Sequence, residues 1–207
     1  MSNSWFDTLG VFDLETTGID VETSRIVSAH VGVLNAAGDL VEEWNWLANP
    51  GVEIPAGASD VHGITTERAR AEGRPAAEVI AEIIDVLTSL FNRGLAVTIY
   101  NAPYDLSLLH NEALRYNLAP LIEPAPIIDP LVLDRVVDRW RKGKRTLEAA
   151  AVVYGVDLVD AHDVGMLERN AQLALAAEEL AFVVVAGAAV ASPQNLDGEE
   201  LDRRAHV

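Results

Sequence analysis

The chain has 207 residues, half of them hydrophobic, which suits one α/β domain with a substantial core and leaves little room for a second full domain. With 32 acids against 15 bases and a net charge of −17, it has no long-range basic field to draw it onto a polyanion, so any contact with nucleic acid must be local and metal-assisted. Cysteine is absent, which excludes disulfides and thiolate metal sites. The opening "MSNSWFDTLGVF" lacks a basic region followed by an apolar one, so no secretion signal is read, and the cytoplasm is the expected location. The apolar run Leu180 to Ala191 is shorter than the roughly 20 residues needed to span a bilayer, so a buried helix end is expected and no membrane partner.

In chain order, Leu9 to Leu14, Arg25 to Leu34 and Leu40 to Leu47 read as three strands of an antiparallel meander, with "NAAGD" turning between the last two. "NPGVEIPAGASDVHGIT" reads as a loop that ends at Thr65 or Thr66, either of which can cap a short helix. Pro75 opens a long helix in which Val79, Ile80, Ile83, Leu87, Leu90 and Phe91 keep helical spacing, and Gly94 stops it. Leu95 to Asn101 reads as a buried strand, Pro103 begins a helix, and "PIIDP" is a fifth short strand. Helices are expected over Leu131 to Trp140, Leu147 to Tyr154 and Val164 to about Val190. The expectation is a mixed five-stranded sheet flanked by helices, with residues 1–191 as the domain and 192–207 as a polar, disordered tail.

The stretch "VFDLETTG" ends an apolar run with two carboxylates. Side chains alternate along a strand, so Asp13 and Glu15 project to one side and Phe12 and Leu14 to the other, with the acids about 6 to 7 Å apart. Two like charges where a strand leaves the core cost stability unless a cation sits between them. Asp105 falls in the first turn of the helix after the Leu95 to Asn101 strand and can reach the same end of the sheet if the two strands are neighbours; helix capping is its simpler reading.

These segments together resemble the DnaQ-like branch of the DEDD 3′ to 5′ exonucleases, which includes the proofreading epsilon subunit of bacterial DNA polymerase III. "VFDLETTG" is similar to that family's first motif, "SDVHGIT" to one of its loops and "NAPYDLSLL" to its second motif, and "PIIDPLVLDR" and "RTLEAAAVVYGV" follow in the family's order. The resemblance implies a ribonuclease H-like fold and hydrolysis of nucleic acid at a single-stranded 3′ end with two divalent cations, Mg2+ or Mn2+. It assigns catalytic roles to Asp13, Glu15, Asp105 and His162, the three acids holding the metals and His162 acting as base. It also implies substrate contacts from Leu14, Thr16, Thr17, Gly18, Asn101 and Tyr104, with His62 beside the terminal nucleotide. Core packing of Leu14 and Tyr104, turn formation by Thr16 to Gly18 and a backbone-satisfied His62 are the plainer readings. Trp44 and Trp46 share a strand face without interleaved basic residues, so packing is expected of them rather than base stacking.

The match fails at one point. The histidine-containing subgroup places an aspartate five residues after its histidine, and this chain has Leu167 there. Asp163 and Glu168 are the nearby substitutes, but Glu168 is turned about 100° from position 167 on a helix and Asp163 equally suits a helix cap. The readings left open are an exonuclease impaired at its fourth carboxylate, a catalytically inactive nucleic-acid or protein-binding module, an exoribonuclease of short RNA, and a changed reading frame after Asp163. Nothing names DNA over RNA directly, and the domain is expected either free-standing or associated with a DNA polymerase.

Overall fold

The computed structural model describes residues 8–155. Its first three strands, β1 (Thr8–Thr16), β2 (Ile26–Asn35) and β3 (Leu40–Asn49), form the expected antiparallel meander. Two short helices follow, α1 (Ala56–His62) and α2 (Thr66–Glu72), then β4 (Arg74–Pro75) and the long α3 (Ala76–Asn92). The remaining elements are β5 (Ala96–Thr98), α4 (Ala102–Arg115), β6 (Ile127–Ile128), α5 (Pro130–Val137) and α6 (Leu147–Tyr154).

The sheet has six strands in the order β4-β3-β2-β1-β5-β6. β5 runs parallel to β1, with Val11 opposite Thr98, which makes the sheet mixed and puts the end of β1 beside the start of α4. Phe12 and Leu14 point into the main core, where they meet Ala29, Val31, Val79, Ile83, Leu87 and Leu108. α3 supplies a continuous apolar stripe because Val79, Ile80, Ile83, Ile84, Leu87 and Leu90 recur every three or four residues and are all buried. Burying six such side chains favours docking of the helix by on the order of 10 kcal/mol before the entropy of ordering is set against it.

The structure departs from the sequence-based expectations in four places. The sheet has six strands rather than five, because Arg74 and Pro75 make a two-residue parallel pairing with Ala48 and Asn49 that no hydrophobic pattern announces. The stretch after Asn49, expected as a loop, holds α1, which begins at Pro55 and stops at Gly63 in a left-handed conformation at φ 73°. The strand expected over Leu95 to Asn101 pairs only over Ala96–Thr98, and Asn101 instead adopts φ 62°, ψ 47° at the N-cap of α4. α5 ends at Val137, not Trp140. Of the two caps expected for the short helix α2, Thr65 is the one that serves, accepting from the Arg68 N–H. The helix expected from Val164, the apolar run at Leu180 and the tail from residue 192 lie outside the described residues.

Candidate active site

Asp13 stands on β1 directly across from His30 on β2, and Glu15 across from Ser28, so both acids lie on the sheet face opposite Phe12 and Leu14. Asp105 comes from the first turn of α4 and is buried. Its carboxylate accepts hydrogen bonds from its own backbone N–H and from that of Leu14, the residue between the two strand acids. Burial raises the Asp105 pKa well above the usual carboxylate value, the negative charges of Asp13 and then Glu15 push it the same way, and the two N–H bonds oppose them only in part. The fold therefore gathers Asp13, Glu15 and Asp105 into one electrostatic cluster although Asp105 lies 90 residues from Glu15 in the chain.

The start of α4 is held from outside. Asp129, at the N-cap of α5, accepts the N–H groups of Asn101 at 3.0 Å, Ala102 at 3.1 Å and Leu131 at 2.9 Å, so one carboxylate satisfies the first turns of two helices. The other side of the site is a clasp of hydroxyls. Tyr104 Oη donates to the Gly18 carbonyl at 2.5 Å, Thr16 Oγ1 donates to the same oxygen at 2.8 Å, and the two hydroxyls are 2.7 Å apart. Burial raises the Tyr104 pKa, the Thr16 bond opposes this, and Asp105 and Glu15 raise it further, which puts the clasp within the field of the acids.

The other residues singled out in the sequence have varied placements. Leu14 is buried in the main core, and Thr17 donates its N–H to the Arg25 carbonyl at 3.0 Å while its hydroxyl accepts the Arg25 N–H at 2.9 Å, so that N–H is engaged within the protein. His62 is buried at the end of α1, where its Nδ1 accepts the Ile64 N–H at 3.1 Å. Asn101 is exposed, and its left-handed backbone, which asparagine tolerates, turns the chain from β5 into α4. Trp46 is a core residue whose Nε1 donates to Glu82 at 2.9 Å, and Trp44 packs partly against the same core. His162, Asp163, Leu167 and Glu168 lie outside the described residues.

Sequence reasoning passed over Asp129 and the buried Asp134. Asp134 accepts from Arg141 at 2.8 Å, Arg145 at 2.5 Å and Tyr154 at 2.9 Å, tying α5 to α6 and to the segment between them. The signal for Asp129 was present, since an aspartate immediately before a proline is a common helix start.

The three acids offer only oxygen donors, and a cation beside them would relieve the repulsion that lifts Asp105. That donor set suits a hard divalent ion. Among the described residues no group of three or more histidine, aspartate or glutamate side chains is placed so that it could hold a metal ion.

The mixed sheet thus carries two acids near the end of β1 and a third in the first turn of α4, the helix that follows the neighbouring strand β5. The RNase_T family profile, described as Exonuclease, matches residues 11–164, and the chain belongs to that family. A DNA polymerase III subunit epsilon-like protein of Rhodobacter capsulatus is 36% identical over 132 residues, which are 63% of this chain and 18% of that protein. A PolC-type DNA polymerase III of Streptococcus sanguinis is 27% identical over 125 residues, 60% of this chain and 8% of that protein. The chain thus spans less than a fifth of each of these relatives. A solved structure of exonuclease I superimposes with a TM-score of 0.70 at 21% identity, over 87% of this chain and 41% of that one. E. coli exonuclease I in complex with a 5cy-dT13 oligonucleotide gives 0.69 at 20% identity, over 87% and 41%. Both share the ribonuclease H-like fold.

Proposed function

We propose that this chain is a metal-dependent 3′ to 5′ exonuclease that removes nucleotides from a single-stranded DNA end. The observation that carries the reading is the gathering of Asp13 and Glu15 around the buried Asp105 in a chain of the exonuclease family. When bound there, two Mg2+ or Mn2+ ions supply Lewis acidity at the scissile phosphate and lower the pKa of the attacking water. Asp13, Glu15 and Asp105 are the residues that would hold them. Asp129 keeps the first turn of α4 in place so that Asp105 stays at the end of β1. Tyr104 and Thr16 hold the Gly18 carbonyl and so shape the turn at which the terminal nucleotide would rest. His162, by its place in the sequence, is the candidate acceptor of the water's proton. DNA is preferred to RNA because relatives carry DNA polymerase III names and a similar structure holds an oligo-dT. Those names also support a DNA polymerase as a partner and the cytoplasm as the setting.

Thermal melting with and without Mn2+, together with release of nucleotides from a 5′-labelled strand, tests the reading. The unaltered chain is expected to gain stability with Mn2+, and Asp13→Asn to lose both that gain and any hydrolysis. Without metal, Asp13→Asn should melt no lower than the unaltered chain, since it removes a like charge beside Asp105. A melting temperature indifferent to Mn2+ in both proteins would count against a metal site.

A second reading has one observation in its favour. Leu167 stands where the resemblance calls for an acid, which suits a non-catalytic module that still binds nucleic acid. Binding of a single strand by the purified chain, with no hydrolysis at any Mn2+ concentration, would favour it.

A further inference from the structure

The chain's positive charge is concentrated in one place. Arg135, Arg139, Arg141, Lys142, Lys144 and Arg145 are six of its 15 basic residues and include both of its lysines, and the same span contains a single acid, Asp138. The span covers the end of α5 and the connection to α6. Its basic residues divide into two sets. Arg141 and Arg145 turn inward onto the buried Asp134, and Arg145 also donates to the Asp138 carbonyl at 2.5 Å. Arg135, Arg139, Lys142 and Lys144 are exposed and form no ion pair among the described residues. Between them stands Trp140, 83% exposed, with the Arg139 guanidinium 5.3 Å from the centre of its ring.

We infer that this segment is a binding platform for the backbone and bases of a single nucleic-acid strand, upstream of the end held at Asp105; the inference rests on the exonuclease reading above. Four cations with no ion pair among the described residues, in a chain of net charge −17, make a local site for phosphates that the overall field does not provide. An exposed indole with the Arg139 guanidinium beside its ring is the surface on which a base stacks without regard to its identity. The inward arginines matter as much as the outward ones. Because Asp134 fixes Arg141 and Arg145, the connection is held in one conformation and less ordering is left for binding to impose. The platform is also tied to the site. Tyr100, which immediately precedes the N-cap of α4, donates its hydroxyl to the Arg145 carbonyl at 2.8 Å. α5, whose N-cap Asp129 holds α4, rises about 12 Å over its eight residues before reaching the basic connection. That distance corresponds to roughly three to four stacked nucleotides.

Fluorescence anisotropy of a labelled oligo-dT in excess EDTA tests this with the whole chain, because binding is read without hydrolysis and is independent of whether the metal site works. Arg139, Lys142 and Lys144 changed together to Gln should weaken binding at least tenfold at low salt and lower the slope of log affinity against log salt by about 2, at roughly 0.7 per phosphate contact. Trp140→Ala should weaken it about tenfold with the slope unchanged. Lys142→Arg with Lys144→Arg should bind like the unaltered chain. An unchanged affinity and slope in the triple variant would overturn the proposal, as would equal retention by anionic lipid vesicles or poly-glutamate. Loss of Mn2+-dependent hydrolysis in Asp13→Asn with this binding intact leaves the platform standing, whereas absence of hydrolysis in the unaltered chain would bear on the catalytic reading alone.

Discussion

The Asp129 carboxylate accepts the backbone N–H of Ala102 at 3.1 Å, and through this bond α5 sets where α4 begins and hence where Asp105 sits. Asp129→Ala leaves the first N–H groups of both helices without their acceptor, and a cap of this kind is worth about 1 to 2 kcal/mol at each end. Urea unfolding should show a loss of about 2 to 3 kcal/mol, with Asp129→Asn losing less because it retains one oxygen. Hydrolysis by the Ala variant should fall more than its folded fraction does; a fall in proportion to folding would make Asp129 a purely structural cap.

Tyr104→Phe removes the hydroxyl that meets the Gly18 carbonyl and the Thr16 hydroxyl. Thr16 keeps its own bond to that carbonyl, so the stability cost should be close to 1 kcal/mol. If the clasp shapes the resting place of the terminal nucleotide, KM for a single strand should rise severalfold while kcat changes less. The opposite pattern, with kcat falling and KM unaltered, would place Tyr104 in the chemistry instead.

Burial raises the pKa of the Asp134 carboxyl, but hydrogen bonds from Arg141, Arg145 and Tyr154 outweigh it and hold the group below its ordinary value of 3.8. A carboxyl whose folded pKa is depressed adds stability above its unfolded pKa, and that contribution is lost as the pH falls below about 4. Asp134→Asn should cost about 3 kcal/mol at neutral pH, since two largely buried guanidinium groups lose their counter-charge. Its melting temperature should decline less steeply than that of the unaltered chain between pH 4 and pH 2. Parallel declines would mean that other acids dominate the acid limb.

Five residues after His162, Leu167 occupies the place where the family resemblance implies a metal-binding acid. Losing such a ligand should cost several kcal/mol of transition-state stabilisation, on the order of a thousandfold in rate. The chain should therefore hydrolyse a 3′ end slowly, and Leu167→Asp should raise the rate by a large part of that factor. Brisk hydrolysis that survives replacement of both Asp163 and Glu168 would show that the fourth carboxylate lies elsewhere.

The parts of this protein that were legible in its sequence depend on neighbours a few residues apart. The alternation of Val11 to Glu15 puts both strand acids on one side, and the three-four spacing of Val79 to Leu90 makes α3, because the pleat and the helical turn repeat within a handful of residues. The short elements escaped for the same reason: the two-residue β4 and the seven-residue α1 contain too little pattern to rise above their proline and glycine surroundings. Tertiary structure alone decided what joins distant positions. Tyr104 and Gly18 are 86 residues apart, and Asp129 and Ala102 are 27 apart, so neither bond is written in local periodicity. The parallel pairing of β1 with β5 brought Asp105 to Asp13 and Glu15, and only then did burial and like charge lift its pKa. The basic connection after α5 is a run of arginines and lysines that sequence reasoning passed over, and composition alone does not separate struts from ligands. Burial made that division, by turning Arg141 and Arg145 onto Asp134 and leaving Arg139, Lys142 and Lys144 facing water.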